Sequence, residues 1–247
     1  MVKKRLESDR FPRSKKYDFE FMCKNEMGPN SIWLMEFLTE KVDLKPKMRV
    51  LDLGCGMAMS SVFLAKEFDV EVWAVDLWID PSDNYKMIKE KGLTDKIYPI
   101  KAEAHQLPFA EGFFDIILSV DAYHYFGTDE LYFLYLSKYL KDNGQFGIVV
   151  PGLKEEINNK VPIDLKEVWD REFFSFHSTE WWKEHFEKTG LVEIKNADQL
   201  KNSWEIWMKW EKELMNSGLA KRNGDSDLLE ADNGKYLTFP RIVAQKL

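Results

Sequence analysis

Between Met48 and Gly152, short apolar segments alternate with segments of helical periodicity, and this alternation constrains the fold more than any other feature of the chain. We predict strands at 49–53, 71–76, 96–101, 114–120 and 145–150. Helices are predicted between them, at 58–68, 82–91 and about 128–141. Such an alternation is typical of an α/β fold, a parallel sheet with helices on both faces. Ligands of such sheets bind at the carboxyl ends of the strands.

After residue 151 the alternation stops. A long loop with a short helix at 164–171 comes first. We then predict, in chain order, a helix at 178–188, a strand at 191–194, a helix at 200–216, a polar loop at 217–235 and a last strand at 236–244. Pro240 interrupts this last strand. Because proline cannot donate to a sheet ladder, we expect the strand to lie near a sheet edge.

Residues 1–20 form a basic segment before the first predicted helix. Its cationic residues are Lys3, Lys4, Arg5, Arg10, Arg13, Lys15 and Lys16. A solvated arm is the simpler prediction for such a charged run. A flap that closes over a site is the alternative. A turn at 28–31 and a helix that ends before Pro46 follow.

Composition excludes several classes of protein. The 247 residues include 35 basic and 42 acidic side chains, a net charge of −7, which argues against a nucleic-acid partner or an anionic membrane surface. No apolar run approaches the ~20 residues that cross a bilayer, and no apolar stretch typical of a secretory signal follows the basic start. Two cysteines, Cys23 and Cys55, cannot build a disulfide framework, so we expect a cytoplasmic protein.

The most informative segment is Val50–Ala58, in which a buried strand runs into a turn with two glycines and then into a helix. Gly54 and Gly56 let the backbone approach a ligand closely. Asp52 in the strand would repel a pyrophosphate but suits a ligand that carries an ammonium group. Asp76 ends the next strand, where a carboxylate can accept hydrogen bonds from ribose hydroxyls.

These residues resemble a known family. Val50–Ala58 is similar to motif I of the class I S-adenosylmethionine-dependent methyltransferases, and Asp76 falls at their ribose-binding acid. Glu103–Phe109 resembles their adenine loop, and Phe114–His124 resembles their fourth strand. The resemblance covers about residues 46–151. It is strongest to the small-molecule branch that includes the ubiquinone- and menaquinone-biosynthesis methyltransferases (methyltransferase domain 11 type).

The resemblance implies S-adenosyl-L-methionine as cofactor and a role for each matching residue. The methionine end of the cofactor would meet Asp52, Gly54, Cys55 and Gly56, with the backbone carbonyl of Ser119 near its ammonium group. The ribose and adenine would meet Asp76, Leu77, Glu103 and Ala104. Two positions depart from the family pattern: Ala58 replaces a third glycine, and Glu103 replaces an aspartate.

The resemblance also implies the whole architecture. We expect a Rossmann-like, doubly wound, mostly parallel seven-stranded sheet with an antiparallel last strand and helical cap insertions. An N-terminal arm and helix at 1–45 would precede the cofactor-binding core at 46–151. The C-terminal half, 152–247, would complete the sheet and carry cap elements at 152–177 and 198–235. The turn at Met27–Asn30 is a candidate cover for the methionine end of the cofactor.

Candidates on the acceptor side follow the fourth strand. His124 is our candidate general base, because an ordinary histidine titrates near neutral pH, and a structural role is its alternative. Tyr123 and Asp121 share that edge, and Tyr125 is a further aromatic candidate beside the sulfonium. His105, His177 and His185 are weaker candidates, and the four histidines show no metal-ligand spacing.

Six tryptophans lie after residue 150, at positions 169, 181, 182, 204, 207 and 210. They predict a packed cap helix or, alternatively, an aromatic wall of the acceptor pocket.

The sequence therefore predicts an enzyme that transfers a methyl group in line to the O, N or C atom of a small molecule, as a monomer or homodimer. Two alternatives stay open. A non-catalytic domain that binds S-adenosylmethionine or acts as a scaffold would keep the same fold. An NAD-dependent oxidoreductase would need a third glycine where this chain has Met59.

Overall fold

A computed structural model describes residues 8–158, 160–220 and 225–247 of the chain. The predicted basic positions Lys3, Lys4 and Arg5 lie outside the described residues.

The centre of the fold is a seven-stranded sheet. Its strands are β1 (Arg49–Leu53), β2 (Glu71–Asp76), β3 (Ile97–Lys101), β4 (Phe114–Val120), β5 (Leu140–Val149), β6 (Val192–Gln199) and β7 (Pro240–Lys246). Their order across the sheet is β3-β2-β1-β4-β5-β7-β6. β7 is antiparallel to both neighbours, and β1 to β5 pair in parallel. The predicted fold class is confirmed.

Eight α-helices are described around this sheet. They are α1 (Phe19–Lys24), α2 (Ser31–Thr39), α3 (Met59–Phe68), α4 (Pro81–Glu90), α5 (Tyr132–Leu136), α6 (Thr179–Glu187), α7 (Ser203–Ser217) and α8 (Ser226–Asp232). Asn30 begins α2 by accepting hydrogen bonds from the Ile32 and Trp33 N–H groups, both at 3.1 Å. None of the described helices is long and apolar enough to cross a bilayer.

The core has two halves, one on each face of the sheet. Alternate residues of a strand point to opposite faces, so Val50 packs with α2 and α3 while Leu51 packs with α5 and α6. The fully buried Trp182 and Phe186 fill the second half. The apolar strands read as nearly continuous runs because helices cover both faces.

The prediction of a solvated N-terminal arm is wrong from about residue 10 onward. Phe11 is completely buried and stacks on Trp33 with 5.3 Å between ring centroids. The buried Glu36 carboxylate accepts hydrogen bonds from the backbone N–H groups of Arg13 and Ser14, both at 2.8 Å. The sequence prediction followed the many charges of this segment and missed the apolar side chains, such as Phe11, that pack against α2.

Two predicted elements differ from the structure. The helix predicted at 128–141 is only α5 plus a single 3₁₀ turn, because β5 already begins at Leu140. The polar loop predicted at 217–235 contains α8, in which Leu228 and Leu229 are buried against the core. A few apolar positions were enough to dock this short helix.

The prediction that the last strand lies near a sheet edge is confirmed, because β6 alone separates β7 from that edge. β7 lies between β5 and β6, and Pro240 is its first residue, a position where the missing N–H does not interrupt the ladder. The preceding residues Leu237–Thr238 pair instead with Gly152–Leu153 in a separate two-stranded sheet.

Replacing Phe11 tests whether the N-terminal segment is part of the folded unit. We expect Phe11→Ala to lower the free energy of unfolding by about 3–5 kcal/mol, because it empties a buried aromatic site. Leu131→Ala is the control, since Leu131 is 69% exposed and its loss should cost under about 0.5 kcal/mol. Chemical denaturation measures both, and equal costs would show that the segment does not contribute to the core.

Candidate functional site

A cavity of about 360 Å³ opens at the carboxyl ends of β1, β2 and β4. We call it the sheet-edge cavity. Most of its wall comes from five segments, which are Asn25–Ser31, Leu53–Met57, Asp76–Trp78, Ala102–His105 and Asp121–Phe126. Four of these follow strands of the parallel sheet, which is where α/β sheets bind their ligands.

The turn after β1 has a backbone that a side chain would disturb. Gly54 and Gly56 have φ angles of +77° and +51°, in the left-handed region that glycine adopts without strain. A Cβ atom on Gly54 would lie 2.3 Å from the Ala122 Cβ, and one on Gly56 would lie 2.8 Å from the Met27 sulfur. The two glycines therefore allow the turn to approach the segment after β4 and the N-terminal segment.

The Gly56 residue is held on both sides. Its N–H donates to Oδ2 of Asp76 at 2.8 Å, and its carbonyl accepts from Nδ2 of the buried Asn84 at 2.9 Å. Asn84 lies on α4, so three elements fix the turn. Sequence reasoning missed Asn84; the only signal was a lone amide in a polar helix.

Asp76 lies at the cavity wall and is only 8% exposed. Its Oδ1 accepts from the N–H groups of Trp78 at 2.8 Å and Ile79 at 3.1 Å, while Oδ2 accepts only the Gly56 bond among the hydrogen bonds described. A carboxylate has about four acceptor positions. Oδ2 therefore keeps a position for a ligand hydroxyl, and Oδ1 can accept a second one only by sharing.

Asp52 is not on the cavity wall. It is 1% exposed inside β1, and its Oδ2 accepts the hydroxyls of Ser60 and Ser61, each at 2.6 Å. Burial raises its pKa to about 6, although the two serines act in the opposite direction. The predicted contact of this carboxylate with the methionine end therefore has no direct geometric support. Ser60, whose hydroxyl donates to Asp52, does line the cavity.

Glu103 and Ala104 line the cavity as the resemblance implied. The Glu103 carboxylate turns back on its own loop, where it accepts the His105 N–H at 2.8 Å and meets its Nδ1 at 2.9 Å. The Ala104 carbonyl accepts the Tyr132 hydroxyl at 3.1 Å.

The candidates after β4 separate into two groups. Asp121 lines the cavity, whereas Tyr123 and His124 do not. Tyr123 is fully buried among Phe146, Trp182 and other rings of the core, and burial raises its pKa well above the ordinary value. Burial lowers the pKa of His124 to about 3. The structure gives neither residue the position of a base that reaches a ligand here.

Ser119, Cys55 and Leu77 complete the predicted set. Ser119 is fully buried off the cavity wall, and its hydroxyl donates to the Leu53 carbonyl at 2.7 Å. Cys55 lines the cavity, and burial raises the pKa of its thiol, which suits packing better than nucleophilic chemistry. Leu77 lines the cavity and is half exposed.

His177, His185 and the tryptophans after residue 150 are not among the residues that line the cavity. His177 and His185 stack on the two faces of Trp181, at 3.6 and 4.6 Å between centroids. None of the six tryptophans after residue 150 lines the cavity among its described wall residues. The described residues contain no group of histidine, cysteine or acidic side chains that could hold a metal ion.

The C-terminal half contacts the site through Gly28, a residue of the N-terminal wall segment. The Nε1–H of the buried Trp210 donates to the Gly28 carbonyl at 3.0 Å and so anchors the N-terminal wall segment. Gly28 in turn lies against Asp121, because a Cβ atom there would be 2.4 Å from its Oδ2. At the rim, Trp78 and Tyr125 are exposed and meet edge to face at 5.9 Å.

Asp52 generates a prediction about pH. A carboxyl whose pKa is higher in the folded than in the unfolded state stabilises the fold below about pH 4 and loses that contribution as pH rises toward 6. Relative to the wild type, Asp52→Asn should therefore gain about 1–3 kcal/mol of unfolding free energy between about pH 4 and pH 8. Chemical denaturation at about pH 4 and pH 8 measures the free energy of unfolding of each protein. The control Asp95→Asn, at an exposed site, should show the same pH dependence as the wild type. A constant difference would contradict the raised pKa.

Known proteins with similar sequences include methyltransferases. Residues 50–144 match the family described as a methyltransferase domain. Phosphoethanolamine N-methyltransferase 1 of Arabidopsis thaliana is 29% identical over 43% of this chain and 21% of its own length. The 2-methyl-6-phytyl-1,4-hydroquinone methyltransferase of Synechocystis is 27% identical over 67% of this chain and 54% of its own. The chain thus spans about a fifth to a half of these curated relatives.

A solved structure of Haemonchus contortus phosphoethanolamine N-methyltransferase 2, with phosphomonomethylethanolamine and S-adenosylhomocysteine, superposes with a TM-score of 0.72. The identity is 19%, and the match covers 96% of this chain and 58% of that one. At this identity the likeness establishes the fold. Residues 50–144 are thus similar to a methyltransferase domain, and the chain as a whole shares the fold of the Haemonchus contortus enzyme.

Proposed function

We propose that the protein is an S-adenosylmethionine-dependent methyltransferase that acts on a small molecule. One observation carries the proposal: the glycine turn after β1 and the Asp76 carboxylate after β2 meet at the wall of one cavity, joined by the Gly56 N–H. Glycines and an acid at these two strand ends suit a nucleoside ligand. The related methyltransferases named above support the choice of reaction.

The wall residues fit this cofactor. S-adenosylmethionine carries a sulfonium and an ammonium group, and Asp76 and Asp121 are acidic residues of the cavity wall. Oδ2 of Asp76 keeps an acceptor position for a ribose hydroxyl. Leu77 and Ala104 offer apolar surface beside the base. When bound, the cofactor supplies a methyl group that is already activated for displacement.

The chain's own residues would mainly align and enclose the reactants. Holding two reactants in line can lower the activation barrier of the transfer by ~7–11 kcal/mol. Met27 and Gly28, anchored by Trp210, close one side of the cavity over the Gly56 turn and would exclude water there. His124, off the wall and with its pKa lowered to about 3, is not our proposed base. We keep Asp121 as the proposed acceptor-side residue.

The alternatives have less support. The dinucleotide-binding motif of an NAD-dependent oxidoreductase has a third glycine, which lets the helix pack closely on the sheet. Met59 occupies that position in this chain. A scaffold that only binds the cofactor has the same fold, since fold does not determine activity. We propose that the protein acts without nucleic acid, as a monomer or homodimer. Cys23 and Cys55 are buried and not joined in a disulfide, which supports the cytoplasmic location that we propose.

Replacing Asp76 tests the cofactor site. We expect Asp76→Ala to weaken S-adenosylmethionine binding about tenfold to a hundredfold, because a hydrogen bond to a charged group contributes ~1.5–3 kcal/mol. Isothermal titration calorimetry with S-adenosylmethionine, S-adenosylhomocysteine and NAD measures the affinities.

The control is Asp95→Ala, an exposed acid before β3 that should leave binding unchanged. Heat from NAD alone would support the oxidoreductase, and heat from none of the three ligands would reject the cofactor. A cofactor affinity that Asp76→Ala leaves intact would remove the ribose assignment.

A further inference from the structure

The buried face of α4 carries one amide side chain. Asn84, Met87 and Ile88 stand at positions i, i+3 and i+4, which share one face of a helix, and all three are buried. Met87 and Ile88 supply apolar contacts with the core. A polar side chain that is only 2% exposed on the same face has to be explained by what it binds.

The Asn84 amide binds the turn after β1. Its Nδ2 donates to the Gly56 carbonyl at 2.9 Å and lies 4.0 Å from the Cys55 sulfur. A carbonyl oxygen only accepts hydrogen bonds, so the N–H end of the amide must face Gly56. Oδ1 then has no hydrogen-bond partner among the described residues. Because a buried acceptor without a partner destabilises a fold, stability alone is a weak explanation for an asparagine at this position.

The contact sets the direction of the peptide between Gly56 and Met57. A trans peptide is planar, and its C=O and N–H groups point in opposite directions. Because Asn84 holds the Gly56 carbonyl toward α4, the Met57 N–H points to the other side. Gly56 and Met57 both line the sheet-edge cavity, and none of the described hydrogen bonds uses the Met57 N–H. Glycine rotates more freely than any other residue, so this peptide needs a side chain to hold it.

Asn84 and Asp76 hold Gly56 from two sides. Asp76 accepts the Gly56 N–H at 2.8 Å and also holds the start of the loop that leads to α4. Asp80 then begins α4 by accepting the Ser82 N–H at 2.8 Å. The chain thus leaves Asp76, enters α4 and returns to Gly56 through Asn84. This closed arrangement fixes the glycine turn relative to the end of β2.

On this basis, which rests on the proposed methyltransferase function, we propose that Asn84 is a positioning residue for the cofactor. It holds the Gly56–Met57 peptide in the orientation that receives the methionine end of S-adenosylmethionine. Asn84 is not among the described wall residues of the cavity, so it acts on the ligand through the glycine turn.

The test compares two ligands of the full chain by isothermal titration calorimetry. Methylthioadenosine keeps the nucleoside of S-adenosylmethionine and lacks its amino-acid part. We expect Asn84→Leu, which has a similar volume but no donor, to weaken S-adenosylmethionine binding about fivefold or more and methylthioadenosine binding less than about twofold. Asn84→Asp places an acceptor against the Gly56 carbonyl and should weaken S-adenosylmethionine binding at least as much.

Thermal unfolding separates positioning from a loss of stability. Asn84→Leu should keep its unfolding midpoint within about 4 °C of the wild type, because removal of the unpaired Oδ1 offsets the lost hydrogen bond. The control is Lys89→Leu, at an exposed position of the same helix, which should match the wild type in both measurements.

Three results would overturn the positioning role. They are an unchanged S-adenosylmethionine affinity in both Asn84 variants, equal losses of affinity for the two ligands, and a loss of affinity that accompanies a large drop in the unfolding midpoint of both variants. Absence of S-adenosylmethionine binding by the wild type would instead reject the proposed function.

Discussion

The hydrogen bond between the Gly56 N–H and the Asp76 carboxylate is the contact on which the site depends. It joins the turn after β1 to the end of β2, and Asn84 holds the other side of the same residue from α4. Such a contact needs glycine in a left-handed conformation and an acid at the strand end. The same carboxylate also holds the start of the next loop through the Trp78 and Ile79 N–H groups. One side chain thereby organises two walls of the cavity.

The second constraint comes from outside the parallel sheet. The N-terminal segment packs Phe11 on Trp33, and Trp210 of α7 contacts Trp33 edge to face at 6.2 Å. Trp210 also donates to the Gly28 carbonyl. The N-terminal segment and α7 thus contact each other, and Met27 lies close to the Gly56 turn. The tryptophan-rich C-terminal half supports the wall and does not itself form it.

Burial divides the polar residues near the site into those that support it and those that face the cavity. Asp52 and Ser119 are enclosed and hold β1 to α3 and to β4. Asp76 and Asp121 reach the wall. Because burial disfavours the charged form, it raises the pKa of Asp52 and lowers the pKa of His124. The polar side chains that line the cavity therefore differ from those that hold its strands together.

The sequence by itself determined the sheet, the glycine turn and Asp76, because strand alternation and a left-handed turn are local properties of the chain. It did not determine α8 or the docking of the N-terminal segment, since a few apolar residues in charged surroundings have no periodicity to detect. Nor did it distinguish Asp121 from His124, three residues apart after the same strand. Only the tertiary structure decided which of them faces the cavity, because the turn after β4 directs neighbouring side chains to opposite sides and packing against distant elements buries one of them.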